Sequence, residues 1–250
     1  MLNAYQLHVD TSLAGATTSN GPAFVTKAEG NPFQCSISLG NRHRAVRTVA
    51  LKNAQIPIGF YNVRAPYNTF VLDGTTYTVT PGNYTTLTAL NAAPTTPGGI
   101  VSDLGSFAAD PVTGVVTFTP VSGTPTFGPP AQNTLLSFLG FTATQTLTGA
   151  TIVATYPYTL NWDTYISIWI ENLGQSSLEP VQISFKIPLS GTTNNVMYWT
   201  EGSQNDQIVD VTDRAVRVDR LNVTVFDRFR NLLNNNGLDW SFSFDMVSEN

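Results

Sequence analysis

Val216-Arg217-Val218-Asp219-Arg220-Leu221-Asn222-Val223-Thr224-Val225-Phe226 and Trp240-Ser241-Phe242-Ser243-Phe244-Asp245-Met246 close the chain, on either side of a loop that contains Asn236-Gly237. In the first segment Val216 and Val218, then Leu221, Val223 and Val225, alternate with polar residues. In the second, Trp240, Phe242, Phe244 and Met246 share one face, and Ser241, Ser243 and Asp245 share the other. A repeat of two carried by β-branched and aromatic side chains is what a half-buried antiparallel strand requires, because successive Cβ atoms point to opposite faces. The apolar parity slips by one across Asp219-Arg220, which predicts a β-bulge. With its most strongly patterned strands last, the chain closes its core only when its end is made. The expected fold is an all-β sandwich.

The remaining segments fit that expectation. Val181, Ile183, Phe185 and Ile187 alternate with Gln182, Ser184 and Lys186, and Val196 to Thr200 has the length of another strand. Tyr165 to Ile170 places Ile166, Ile168 and Ile170 on one face and Tyr165 and Trp169 on the other, as in a strand covered on both sides. Regular structure is expected to begin with Phe33, Cys35, Ile37 and Leu39, then to turn at Gly40-Asn41. Ala45 to Ile58 follows as a longer strand with Val49 and Leu51 on one face. Pro57 ends it, having no N–H to give a ladder. Ile56 to Val63 makes an apolar corner, and Phe70 to Leu72 and Thr76 to Thr80 flank Asp73-Gly74 as a tight hairpin. One helix is predicted, with Asn83 as its N-cap and Tyr84, Leu87 and Leu90 in one stripe. Leu135 to Phe141 is too short for most helices and reads as a one-turn core plug.

Residues 1–31 are small and polar without sustained periodicity, which predicts an N-terminal arm, flexible or ordered only against a partner. Residues 32–250 are then a single domain, long enough for a full core. The proline-rich stretch 92–132 reads as a loop insertion in it.

Only 12% of residues are charged, about half of what a globular domain carries, and Thr, Asn, Ser and Gly take their place. That balance suits large surfaces that meet other protein. A net charge of -5 argues against a nucleic-acid surface, which needs clustered cations. Arg42-His43-Arg44 with Arg47 and Lys52 is the one basic cluster, and it reads as an exposed loop entering a strand. The lone Cys35 excludes an internal disulfide and sits among apolar alternation as a buried residue. Neither a signal-peptide pattern nor an apolar run approaching the ~20 residues of a membrane helix is present, so the expectation is a soluble chain from a reducing compartment.

Chemistry is sparse. Two histidines far apart leave a zinc site to carboxylates alone, and neither a phosphate loop nor a nucleophile elbow occurs. No catalytic, cofactor-binding or metal residue is expected. Asp206, Asp210, Asp213, Asp219 and Asp227 crowd the last third, where two of them would form an acid/base pair in a glycoside hydrolase. Turns and charged strand edges account for them more simply. Among the four tryptophans, Trp240 and Trp169 alternate with core residues, which leaves Trp162 and Trp199 as sugar platforms in a carbohydrate-binding sandwich.

Several motifs recur in a telling order: Val49-Ala50-Leu51-Lys52 leading to Ile56-Pro57 and Tyr61-Asn62-Val63, then Gly82-Asn83-Tyr84 opening a helix. The Leu135-Leu136 to Gly140-Phe141 plug, Phe185-Lys186-Ile187-Pro188, Asp227 and Gly237-Leu238-Asp239-Trp240-Ser241-Phe242 complete the set. In this order it resembles the single jelly-roll penton proteins at the vertices of nucleocytoplasmic large DNA viruses and virophages. The resemblance runs from Phe33 to Met246. It implies a jelly roll of two four-stranded antiparallel sheets with one short helix and long loops. It also implies a non-enzymatic capsid protein in the virion, with five copies closing each icosahedral vertex. Its partners are then its own copies and the major and minor (cement) capsid proteins, met through its flanks and its N-terminal arm.

Overall fold

A computed structural model describes residues 2–13, 23–124, 126–128, 134–142, 147–148, 151–171, 185–190, 195–201, 208–210 and 216–249. The chain divides into two compact units, Met1–Phe60 with Asp163–Asn250, and Tyr61–Trp162.

The first unit begins with β1 (Leu2–Asp10), β2 (Ala23–Ala28) and β3 (Asn31–Pro57). β3 has 27 residues and would run roughly 90 Å if straight. It is the spine of the unit. One edge is lined by β2 and then by the last strand of the chain, and the other by three strands in turn. Gly40-Asn41 therefore makes no hairpin turn, and the strand continues through it while its neighbours change.

The second unit supplies β4 (Thr69–Leu72), β5 (Thr75–Val79), α1 (Leu87–Asn91), β6 (Thr95–Thr96), α2 (Val101–Leu104), β7 (Gly105–Ala109) and β8 (Val115–Pro120). β9 (Thr126–Phe127), α3 (Leu135–Phe138), β10 (Leu147–Thr148) and β11 (Ile152–Pro157) complete it. The chain then adds β12 (Tyr165–Ile170), β13 (Phe185–Pro188), β14 (Val196–Thr200), β15 (Ile208–Asp210), β16 (Val216–Phe226) and β17 (Ser241–Glu249) to the first unit.

The nine-stranded sheet of the first unit runs β1-β17-β3-β16-β12-β13, with β2, β14 and β15 also on β3. Where the resemblance implies two four-stranded sheets, one continuous strand joins the strands into a single hydrogen-bonded path. Sandwich corners of this kind are made by strands that change sheets through bends and bulges. The register shows the bulges: β17 skips Lys52 between Asn53 and Leu51, and Arg47 between Thr48 and Val46. Each skip reverses the parity of β3. This is why its core-cluster side chains from Val46 onward, Val46, Val49, Leu51, Ala54 and Ile56, are spaced by threes and twos instead of strictly by two.

The slip read at Asp219-Arg220 coincides with a register break, since Val218 faces His43 and Arg220 faces Ser38. The surplus residues lie on β3, not on β16. Leu221, Val223 and Val225 are buried as expected, whereas the side chains of Val216 and Val218 lie outside the described residues, as do Val181 and Ile183. Trp240, just before β17, and Phe242, Phe244 and Met246 on it are all in the core. Phe242 packs edge-on against Phe244, and Phe185 stacks on Phe244 with centroids 5.5 Å apart.

The N-terminal reading is corrected. Leu2–Asp10 pairs residue for residue with β17, from Leu2 opposite Glu249 to Asp10 opposite Ser241. Thr11 is buried, and its Oγ1 accepts from the Trp240 N–H at 3.0 Å while its own N–H donates to the Trp240 carbonyl at 3.0 Å. Ala23–Ala28 pairs with β3. Sheet pairing needs only backbone groups, so an edge strand forms with little apolar burial of its own. Residues 14–22 lie outside the described residues.

The Tyr61–Trp162 unit has two small sheets, β10-β9-β4-β5-β6 and β11-β8-β7, and its own aromatic core. Phe118 sits 4.7 Å from Phe127 and 4.9 Å from Phe107, and Phe141 closes on Phe127 at 5.4 Å. The stretch 92–132, read as a loop insertion, therefore belongs to a larger folded unit that starts at Tyr61. The Asp73-Gly74 hairpin is present, with φ of 48° and 75°, the left-handed pair that a tight two-residue turn uses. The plug is α3, buried through Leu135, Leu136 and Phe138. The predicted helix is shorter than expected. Its N-cap is Thr86, whose side chain accepts from Ala89 N–H, and two further short helices accompany it.

Candidate assembly surfaces

The residues read as possible chemistry do not come together. Asp227 is buried, and its Oδ1 accepts from the N–H groups of Phe229 and Asn231, both at 2.9 Å, so it shapes its own turn. Asp219 is exposed, while Asp206, Asp213 and the side chain of Asp210 lie outside the described residues. Among the described residues no three His, Cys, Asp or Glu side chains are placed to share a metal ion. Cys35 is buried as read, and burial pushes its thiol up to about 12, which keeps it protonated and unreactive. The side chains of Arg42, His43 and Arg44 lie outside the described residues. Their backbone belongs to β3 and not to a loop. Lys52 pairs with Glu201 and lies 3.9 Å from Asp245.

Neither proposed sugar platform is fully exposed. Trp162 is 1% exposed and stacks on Phe138 with centroids 3.9 Å apart. Trp199 packs partly buried against the core. Trp169, assigned to the core because it alternates with isoleucines, is instead half-buried on the opposite face of β12, beside Phe226. Alternation alone says that two residues face opposite ways, not which face is covered.

Two of the motif pieces meet. Val63 and Gly82 exchange backbone hydrogen bonds at 2.9 and 3.1 Å. Beside them, the Asn62 amide Oδ1 accepts from Tyr84 N–H, and its Nδ2 donates to the carbonyls of Tyr84 (2.8 Å) and Leu160 (2.9 Å). Asn83, expected to cap the helix, accepts from Asn62 N–H instead. One side chain thus ties the entry of this unit to its exit. Only an amide offers both donors and acceptors in that geometry. Asn62→Ala is expected to cost about 1–3 kcal/mol through the groups it leaves unpaired, seen as a lower urea midpoint; an unchanged midpoint would remove the clamp from the account.

The exposed surfaces have a consistent character. On β14, Val196 and Tyr198 face solvent, Tyr198 at 71% exposure, while Met197 between them is buried. In the Tyr61–Trp162 unit, Val112, Val121, Val153 and Tyr156 are exposed. Among the described residues, β1 and β13 end the path of the nine-stranded sheet. Exposed apolar and aromatic side chains are enriched at protein contact surfaces.

The crystal structure of the penton protein of mavirus matches this chain over 100% of both chains, with a TM-score of 0.50 and 12% sequence identity. The chain has a penton jelly-roll fold. No protein-family model and no curated protein matches it. The fold read from motif order in the sequence is thus met by a solved penton structure along its whole length. Among the described residues no helix is long and apolar enough to cross a membrane.

Proposed function

We propose that this chain is a structural capsid protein that forms the pentameric fivefold vertices of an icosahedral double-stranded DNA virus. The observation that carries the reading is the end-to-end match with a penton fold, both units included. Five copies pack flank against opposite flank, a heterologous contact that closes into a ring when the rotation per copy is one fifth of a turn. The outer flanks meet the major and minor capsid proteins, and the chain acts in the virion after assembly inside the host cell. It needs no cofactor and catalyses nothing. With Trp162 buried and Trp199 partly buried against the core, the carbohydrate-binding alternative loses support.

Native mass measurement of the purified chain, alone and mixed with the major capsid protein, tests this. The expected result is a ring of five 27.0 kDa chains, or incorporation into a larger assembly. A monomer that ignores the major capsid protein and binds glycans on an array would overturn it.

A further inference from the structure

The sheet of the first unit has a second face, opposite its core. Strands β2, β3, β16 and β12 bury Val25, Cys35, Val223 and Ile168 on one side. Alternate residues of the same strands stand on the other side. There Gln34 faces Thr224 and Thr224 faces Trp169, one row across three strands. The row spans about 10 Å, two strand spacings. Thr26, Ser36 and Asn222 form the next row, with Glu171 beside Asn222. All seven side chains are exposed or half-buried. Thr26, Gln34, Ser36, Asn222 and Thr224 line an open depression of about 310 Å³.

The two rows use their polar groups differently. In the Ser36 row the Ser36 hydroxyl donates to Asn222 Oδ1 at 2.8 Å, and Asn222 Nδ2 donates to Glu171 Oε2 at 2.5 Å. Those two bonds hold the Asn222 amide in one orientation. In the Gln34 row, among the described residues, the Gln34 amide, the Thr224 hydroxyl and the Trp169 indole N–H have no hydrogen-bond partner. The Trp169 ring is tilted against Phe226 with centroids 6.2 Å apart, which steadies it while part of it stays open to solvent. The row thus offers an amide, a hydroxyl and an indole donor beside a broad apolar ring.

We infer that this face binds a neutral oligosaccharide, with Trp169 under a sugar ring and Gln34, Thr224 and Asn222 on its hydroxyls. The choice of ligand follows from what each group can satisfy. An apolar protein surface docked here leaves Gln34, Thr224 and Asn222 desolvated and unpaired. A polyanion meets the Glu171 carboxylate, and the cation that lines the depression, Lys27, is already paired with Asp239 at 2.6 Å. A neutral sugar carries a donor and acceptors at every hydroxyl, and its C–H face lies flat on an aromatic ring. It satisfies the amides, the hydroxyl and the indole together. The pre-set Asn222 amide and the sheet beneath it keep the ordering cost of binding low. Neither Trp162 nor Trp199 takes part, and the binding role stands independently of the vertex reading.

The test applies the full chain to an array of neutral oligosaccharides (glucans, mannans, xylans and galactans) beside sialylated and sulfated ones, then measures the tightest neutral hit by titration in solution. Trp169→Ala and, separately, Gln34→Ala are the site variants. Tyr198→Ala on β14 is the control for an exposed aromatic elsewhere on the sheet. Thermal melting reads the fold. The expected result is a neutral hit whose affinity falls roughly tenfold or more in each site variant and is unchanged in Tyr198→Ala. Absence of a neutral hit, retention of acidic glycans alone, a hit that keeps its affinity in either natively folded site variant, or one that weakens equally in Tyr198→Ala would each overturn the inference. Should Trp169→Ala lose its native melt, Gln34→Ala, a polar change outside the core, decides alone. The vertex reading stands or falls separately, on the native mass.

Discussion

Trp240→Ala is expected to destabilise the first unit by about 3–5 kcal/mol, the range for deleting a large buried aromatic. The indole is 2% exposed, with Phe33 edge-on at 5.4 Å and Phe242 tilted against it at 4.3 Å. Its Nε1 donates to the Pro32 carbonyl at 2.8 Å, and its backbone is gripped by Thr11. Truncation opens a cavity among strands β3 and β17 and strands a buried carbonyl. Trp240→Phe keeps most of the ring and loses only the hydrogen bond, so its cost should be near 1–3 kcal/mol. Because whole domains are stable by only about 5–15 kcal/mol, the alanine variant should be partly unfolded under mild conditions. Urea denaturation checks the order: wild type, then phenylalanine, then alanine. Equal midpoints for alanine and wild type would mean that the strand on which core closure depends is not where the register puts it.

Gly140→Ala should act as strongly, and on the other unit. Gly140 has φ of 87°, and a Cβ there would lie 1.9 Å from the carbonyl oxygen of Tyr156. The obstacle is backbone, not a side chain that can swing away. The Gly140 carbonyl also accepts from the N–H groups of Thr155 (3.0 Å) and Tyr156 (3.1 Å), so moving apart sacrifices both bonds. Left-handed strain and overpacking each cost about 1–3 kcal/mol, and here they add. Hydrogen exchange is the measurement of choice because it reports by segment. The expected outcome is lost protection around Thr155 and Tyr156, with Ile166–Ile170 and Phe242–Met246 keeping theirs. Wild-type exchange at Tyr156 would show that the close approach is not made.

How much of this was readable beforehand depends on how each element is stabilised. β17, β16 and the Asp73-Gly74 hairpin were legible because strict alternation or a turn dipeptide forces one reading. β3 hid its logic. Two bulges at Lys52 and Arg47 convert its buried positions into a three-two spacing that matches neither strand nor helix period. β1 was missed although Tyr5, Leu7 and Val9 alternate, because an edge strand needs only one partner and buries little. The boundary of the second unit escaped because its core is assembled from single aromatics, Phe107, Phe118, Phe127 and Phe141, each separated from the next by turns. The tryptophans show the same limit. Trp162 sits between Asn161 and Asp163, a polar neighbourhood that says nothing of the Phe138 ring that covers it.

The most direct test is a reconstruction of particles that contain this chain, with fivefold averaging at the vertices. Density at each vertex that accepts five copies of both units is the result expected. Vertices filled by another protein, with this chain elsewhere in the particle or outside it, would contradict the account.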